Sequence, residues 1–397
     1  MDKRMDAFLA EAEWAPKEGY TLSQRESRDH RAMRANFIYK DLKAQLKKVP
    51  VPVLGEKEVL LQVGACGICG SDLGVQKAGE DGYTAYGIQL RLPVILGHEL
   101  SGKVVALGKN VTKVKVNDLI AVEQIHWCGE CSMCRSGMFN QCEELEELGL
   151  SKNGGFAEYI AIPEKYCCVI NDLAEKLGDE MAALEAGALA EPTCVAYSGI
   201  QVNAGGIKSG AHVVIFGVGP IGLASAALAR AMGAGKIIAV GARGVRKGLA
   251  LTMGADHFLS TDELTAQGVR VSDVVMDITN GVGAGMVIEA TGCYASVYPE
   301  ITRCIAPGAK ILQLGVGTTA APVDLTTILQ KNARICGSMG QAGSEIFPSV
   351  LRMMSSGRID MRKMITGRFA LCDIEEAMAC AKDTKTPQGK VLVSQFY

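Results

Sequence analysis

The chain has 397 residues, 48% of them apolar and 21% charged, a balance that excludes disorder, collagen and a coiled coil as dominant descriptions. Its 41 Lys and Arg against 43 Asp and Glu leave a net charge of −2, so nothing electrostatic favours nucleic acid or an acidic membrane surface. At about 150 residues per domain the length predicts two or three domains, and the 14 cysteines read as reduced thiols and metal ligands rather than a disulfide framework.

In chain order, Asp2, Asp6 and Glu11 interrupt the apolar run that an export signal needs, which predicts a soluble, cytoplasmic protein. Residues 1–50 are mixed and charged, and the basic stretch Asp29–Lys48 predicts a solvated loop or helix. The segment EVLLQV (58–63) reads as a strand, and strand-and-turn units continue to about Ile170. Around Met181–Leu189 the composition becomes helical and Ala-rich.

From Ala211 the pattern is strand, Gly turn, helix, repeated. AHVVIFG leads into a helix (Ile221–Met232), KIIAVG into another (Val245–Met253), and ADHFL, MVIEATG, AKILQLGV and ARICGSMG follow as strands. Buried β-rich runs alternating with helices predict parallel βαβ units, an α/β doubly wound Rossmann sheet. Val213–Ala229 carries no charge, but Gly217, Gly219, Pro220 and Gly222 break any membrane-spanning helix there. Helices at Ile346–Ser356 and Ile374–Ala381 and a strand at Lys390–Gln395 close the chain.

Three constellations carry chemistry. CGECSMCRSGMFNQC places Cys128, Cys131, Cys134 and Cys142 at spacings x2, x2 and x7. Tetrahedral zinc wants four thiolates about 3.7 Å apart, and four cysteines with no open position predict a closed structural site. An iron–sulfur cluster is the rival, but the fourth spacing is wrong and no Pro follows Cys142; buried thiols are the plain alternative.

GICGSD supplies Cys69, Ser71 and Asp72, GHE supplies His98 and Glu99, and LAEPT offers Glu191 at a helix start. Each is weak singly; together a thiolate, an imidazole and carboxylates are what an open catalytic zinc site uses to stabilise an alkoxide as hydride leaves. GVGPIG (Gly217, Gly219, Pro220, Ile221, Gly222) follows a strand and opens a helix, as a pyrophosphate cradle does. At the end of the next strand, where NAD selection wants an acid, stand Gly241, Ala242 and Arg243, followed by Arg246 and Lys247. These bases favour a 2′-phosphate, hence NADP over NAD, unless they are simply solvated helix-start charges.

These motifs, with EATG (289–292), occur in the order and spacing of the zinc-dependent medium-chain dehydrogenase/reductase (alcohol dehydrogenase) superfamily, which the chain resembles over nearly its whole length. Glu191 in AEPTCVAY resembles the polyol branch of sorbitol, threonine and cyclitol dehydrogenases. HWCGEC with CEELEELG, the insert with GYTAYG before GHE, and FPSVLRMMSSGRIDMRKMI are similar to the keto-inositol (scyllo-inosose) dehydrogenases. The resemblance implies a GroES-like β-barrel catalytic domain (1–193 and 345–397, with a zinc lobe at 123–145) around a Rossmann domain (194–344).

It also implies two zinc ions per chain. Cys69, His98 and Glu99 would hold the catalytic one, with Glu191 as fourth ligand or partner of the metal-bound water; Cys128, Cys131, Cys134 and Cys142 would hold the structural one. Ser71 would pass the alcohol proton outward and Asp72 would support the ligands. Thr291, Gly315 and Val316 would join the glycine loop in binding NADP or NAD, and a homo-oligomer, dimer or tetramer, is implied. Two positions depart from the pattern: Gly74 stands where the proton relay often has His, and Gly241-Ala242-Arg243 replaces the acidic NAD-type ending.

The expected reaction is hydride transfer between a secondary alcohol, a polyol or cyclitol, and NAD(P)+. The alternatives are an NADP-linked reductase of apolar ketones and a non-catalytic zinc- and dinucleotide-binding protein. Tyr83 and Tyr86 read either as substrate contacts or as surface-loop tyrosines, and His126 and Trp127 either as cleft residues or as packing.

Overall fold

The computed structural model describes residues 4–397; residues 1–3, and with them Asp2, lie outside it. The glycine-flanked apolar runs of the second half form a six-stranded parallel sheet. Its order is His257–Ser260, Ile237–Gly241, Val213–Phe216, Ala284–Glu289, Ile305–Gln313 and Arg334–Gly337. Val213–Phe216 is buried throughout and sits at the centre, where the winding reverses, so a crevice opens at the carboxyl end of this strand. The helix Pro220–Ala231 starts in that crevice, with Gly219 as its cap and Pro220 at its first turn.

The first half and the C-terminus share one seven-stranded, mostly antiparallel sheet, the barrel-like layer. Glu58–Gly67 pairs with Glu99–Leu107 and with Tyr159–Pro163, and Lys390–Ser394 inserts beside it with Leu392 opposite Gly67. This closing strand also runs parallel to Ile365–Ala370, so the last residues of the chain stitch a sheet begun more than three hundred residues earlier.

The N-terminal region differs from expectation. Arg4–Trp14 and Tyr39–Pro50 form an antiparallel pair, with a bulge between Glu11 and Glu13 and Val94–Ile95 as third strand. Much of the basic stretch predicted as a solvated loop or helix is therefore strand. The physical reason is period-two alternation: Leu42, Ala44 and Leu46 turn inward against the core while Lys43, Gln45 and Lys47 turn out. Ahead of it, Gln24–Asp29 is a short helix held by a Ser23/Glu26 capping box. Arg31 is 2% exposed and bonds Glu146 Oε1 at 2.8 Å, so its charge is paired in the interior rather than solvated.

Candidate active site

The pairing of Glu58–Gly67 with Glu99–Leu107 sets Gly67 opposite Glu99. Cys69 lies just beyond one strand and His98 just before the other, so two segments far apart in sequence deliver their side chains to one point. Cys69, His98 and Glu99 have donor atoms all within 4.8 Å of one another. Gly67 is required there: a Cβ on it would stand 2.2 Å from Glu99 Oε2.

Asp72, fully buried, fixes the two segments together. It accepts the Cys69 N–H at 2.9 Å with Oδ2 and the Gly97 N–H at 3.1 Å with Oδ1. The His98 Nδ1 lies 3.8 Å from the same Oδ1, beyond hydrogen-bond length, and Ser71 Oγ lies 3.4 Å from Nε2. Burial raises the Asp72 pKa, an effect that His98 and the Cys69 N–H oppose. Burial depresses His98, but Asp72 and Cys69 together push it well above the ordinary imidazole value.

Glu99 is held by Lys390, whose Nζ donates to Oε1 at 2.6 Å and to the Ile68 carbonyl at 3.0 Å. Both residues are buried, and the other carboxylate oxygen, Oε2, has no partner, nor has His98 Nδ1. A part-buried thiol, a buried imidazole and a buried, half-satisfied carboxylate converging on one point fit a cation such as zinc. Glu191, in the helix Ala190–Tyr197, is not within that tight trio. It is buried close enough to feel His98 and Glu99, and burial lifts its carboxyl to about 7. Lys390 was missed in the sequence because its partner is 291 positions away.

The four-cysteine lobe is a separate body. The Cys128 thiol lies 3.9 Å from Cys134 and 3.6 Å from Cys142, and Cys131 is 3.9 Å from Cys142. Backbone N–H groups of Glu130 and Cys131 point at the Cys128 sulfur, both at 3.3 Å. The Cys134 N–H and other donors bring the Cys131 thiol down to about 6. Thiolates stabilised by N–H groups at these separations fit a closed four-sulfur zinc site.

The crevice of the parallel sheet is a cleft of about 960 Å³ lined by Gly217, Gly219, Gly241, Ala242, Arg243, Arg246 and Thr291 among others. Pro220, Ile221, Gly222, Lys247, Gly315 and Val316, expected beside the cofactor, are not part of that lining. Gly222 keeps the glycine turn tight, since a Cβ there would stand 1.8 Å from the Gly217 carbonyl oxygen. Glu289 anchors the far wall by accepting the N–H of Thr291 at 2.7 Å and of Gly292 at 3.0 Å. Asp262, unforeseen, lies 3.8 Å from Arg243 at an exposed edge of the same cleft. It opens the helix Thr261–Ala266, and only the fold brings it near.

The remaining residues divide. His126 stacks flat on Tyr166 at 3.8 Å, and Trp127 carries Lys165 Nζ 3.4 Å above its ring, so both serve packing. Tyr83 lies under Lys17 at 4.5 Å. Tyr86 is half-buried against Gly74, where a Cβ would meet its ring at 3.4 Å.

An alcohol dehydrogenase GroES-like domain profile matches residues 55–172, and a zinc-binding dehydrogenase profile matches residues 220–356. The chain is 35% identical to scyllo-inosose 3-dehydrogenase of Thermotoga maritima over 94% of its own length and 95% of the relative's. A solved Thermotoga maritima structure superimposes with TM-score 0.92 at 32% identity, covering 98% of this chain and all of that one. A Sinorhizobium meliloti chain solved with NADP bound gives TM-score 0.77 at 26% identity, with 99% of each chain covered.

Proposed function

The chain belongs to the zinc-dependent medium-chain dehydrogenase/reductase superfamily and is an oxidoreductase, and from that premise we propose that it transfers hydride between a ring polyol, a cyclitol or its ketone, and NADP(H). The observation that carries this reading is the convergence of Cys69, His98 and Glu99 within 4.8 Å. The cyclitol class is supported by the similarity to scyllo-inosose 3-dehydrogenase. Zinc at this trio supplies Lewis acidity toward an alcohol or carbonyl oxygen.

The chain's own residues do the rest. Ser71 Oγ beside His98 takes the substrate's hydroxyl proton and hands it outward; Gly74 offers no side chain to continue the relay, so the next carrier is solvent. Lys390 neutralises one oxygen of Glu99 and leaves the other for the cation. Glu191, buried and within electrostatic reach of His98 and Glu99, is the further carboxyl beside the trio. Burial of His98, Glu99, Glu191 and Lys390 strengthens the charge interactions among them.

Arg243 and Arg246 line the cofactor cleft where no carboxylate occurs between positions 241 and 247, which supports NADP. Replacing Arg243 by Asp should shift the NADP-to-NAD preference by about 1–3 kcal/mol, the scale of a charge-assisted contact; an unchanged ratio removes the cofactor assignment. We take the domains to be 1–193 with 345–397, and 194–344, a division supported by the six-stranded parallel sheet drawing all its strands from 213–337. A homo-oligomer, dimer or tetramer, is supported by exposed apolar Val316, Leu325 and Leu329.

The decisive experiment assays a sugar-alcohol and cyclitol panel with both cofactors, alongside metal analysis. About two zinc ions per chain with cyclitol turnover is the expected result. Turnover of apolar ketones alone would replace the substrate class, and a single zinc without turnover would make the protein a sensor.

A further inference from the structure

Two polar side chains beside the metal-binding trio have no part in that chemistry. Glu147 ends the two-residue strand Glu146–Glu147, which pairs with Ile125–His126. Its backbone is tightly fixed: its N–H donates to Ser151 Oγ at 2.9 Å, and its carbonyl accepts the N–H groups of Ser151 and Lys152. The preceding side chain, Glu146, is committed to the buried Arg31 at 2.8 Å, and strand alternation turns Glu147 to the other face. Two positions on, Gly149 (φ +74°) abuts the residue before His98, for a Cβ on it would stand 2.9 Å from the Gly97 nitrogen.

That packing holds Glu147 part-buried and within electrostatic reach of the His98 ring. Its carboxylate has no hydrogen-bond partner among the described residues. Tyr86 approaches from the insert that precedes His98, its ring resting on Gly74, and its hydroxyl likewise has no partner among the described residues. Burial and the nearby Glu147, Cys69 and Asp72 all keep that phenol protonated. A carboxylate and a phenol, both part-buried and both without a partner among the described residues, thus stand near each other beside the Cys69 and His98 donors, one from each flanking segment.

Leaving such groups unpaired is costly, so a ligand that desolvates them without replacing their hydrogen bonds binds poorly. A ligand with adjacent hydroxyl groups satisfies both: the carboxylate accepts two O–H donors and the phenol donates or accepts a third. An anionic ligand is repelled by Glu147, and an apolar one strands it. We infer that Glu147 and Tyr86 form the specificity wall of the substrate pocket, selecting a neutral ring with several vicinal hydroxyls. This rests on the cyclitol reading and deepens it.

Cyclohexanol and an inositol share a ring and differ in hydroxyls, which makes them the probes. In Glu147→Leu, kcat/KM for the inositol should fall about 100-fold, mostly through KM, while cyclohexanol changes less than about threefold or improves. Glu147→Gln, of nearly the same shape, guards against a folding defect and should fall about tenfold. Tyr86→Phe should lose about tenfold on the inositol alone. Calorimetric binding of the inositol to the NADP complex should weaken in parallel, with zinc content unchanged. Equal losses on both probes, or none on either, overturn the wall. A wild-type enzyme that oxidises cyclohexanol and no inositol overturns the cyclitol reading itself, and the wall with it.

Discussion

The two candidate metal-binding clusters are assembled by opposite means. In the lobe, all four sulfurs come from one stretch of fifteen positions (128–142), Cys128 is exposed, and the supporting donors are the stretch's own N–H groups. In the pocket, one part-buried thiol meets a buried imidazole and carboxylate from another segment, and the supporting groups are Asp72 and the remote Lys390. The lobe is a local arrangement of one short stretch. The pocket is assembled by the whole fold.

Exchanging single ligands tests that contrast most sharply. Cys69→Ser or His98→Ala should lower turnover by at least about 10³-fold with the melting temperature nearly kept and one zinc retained; activity near wild type removes the pocket's role. Cys131→Ser should do the reverse: loss of the lobe's zinc and a melting temperature lower by about 5 °C or more, ahead of any change in kcat. An unaltered melting curve contradicts its structural role.

Lys390→Met addresses the remote support. It leaves Glu99 buried without its cation, which should cost about 3–5 kcal/mol in denaturant unfolding of the zinc-free protein. The double change Lys390→Met with Glu99→Gln should recover much of that loss; no recovery means the two are not coupled.

The smallest effect is expected beside the lobe, at His126. Burial depresses its pKa to about 3 from 6.5, so the folded state binds fewer protons than the unfolded one. The stability it permits is complete above about pH 6.5 and is lost as pH falls toward 3, at up to about 1.4 kcal/mol per unit. His126→Phe keeps the stack on Tyr166 and should flatten stability between pH 6.5 and 5. A variant that still loses stability as steeply places the acid sensitivity elsewhere.

What could be read in the sequence followed the same division. The lobe was legible because its spacing is its geometry, and the parallel sheet because buried strands and glycine turns repeat at a fixed interval. Cys69, His98 and Glu99 were legible only as a set of motifs. Lys390, Asp262 and Glu147 were not, since a lysine in a terminal strand, or an acid among acids, carries no local mark of what it will face. The N-terminal pair of strands was hidden by charge. Lys43 and Lys47 drew attention from the alternating Leu42, Ala44 and Leu46, although period two is the stronger structural signal.

Asp72 deserves one more consequence. With an oxygen on the backbone N–H of each of two chain segments, it fixes the gap between thiol and imidazole without engaging either donor side chain in a short hydrogen bond. Positioning of that kind lowers the ordering cost of whatever the donors bind.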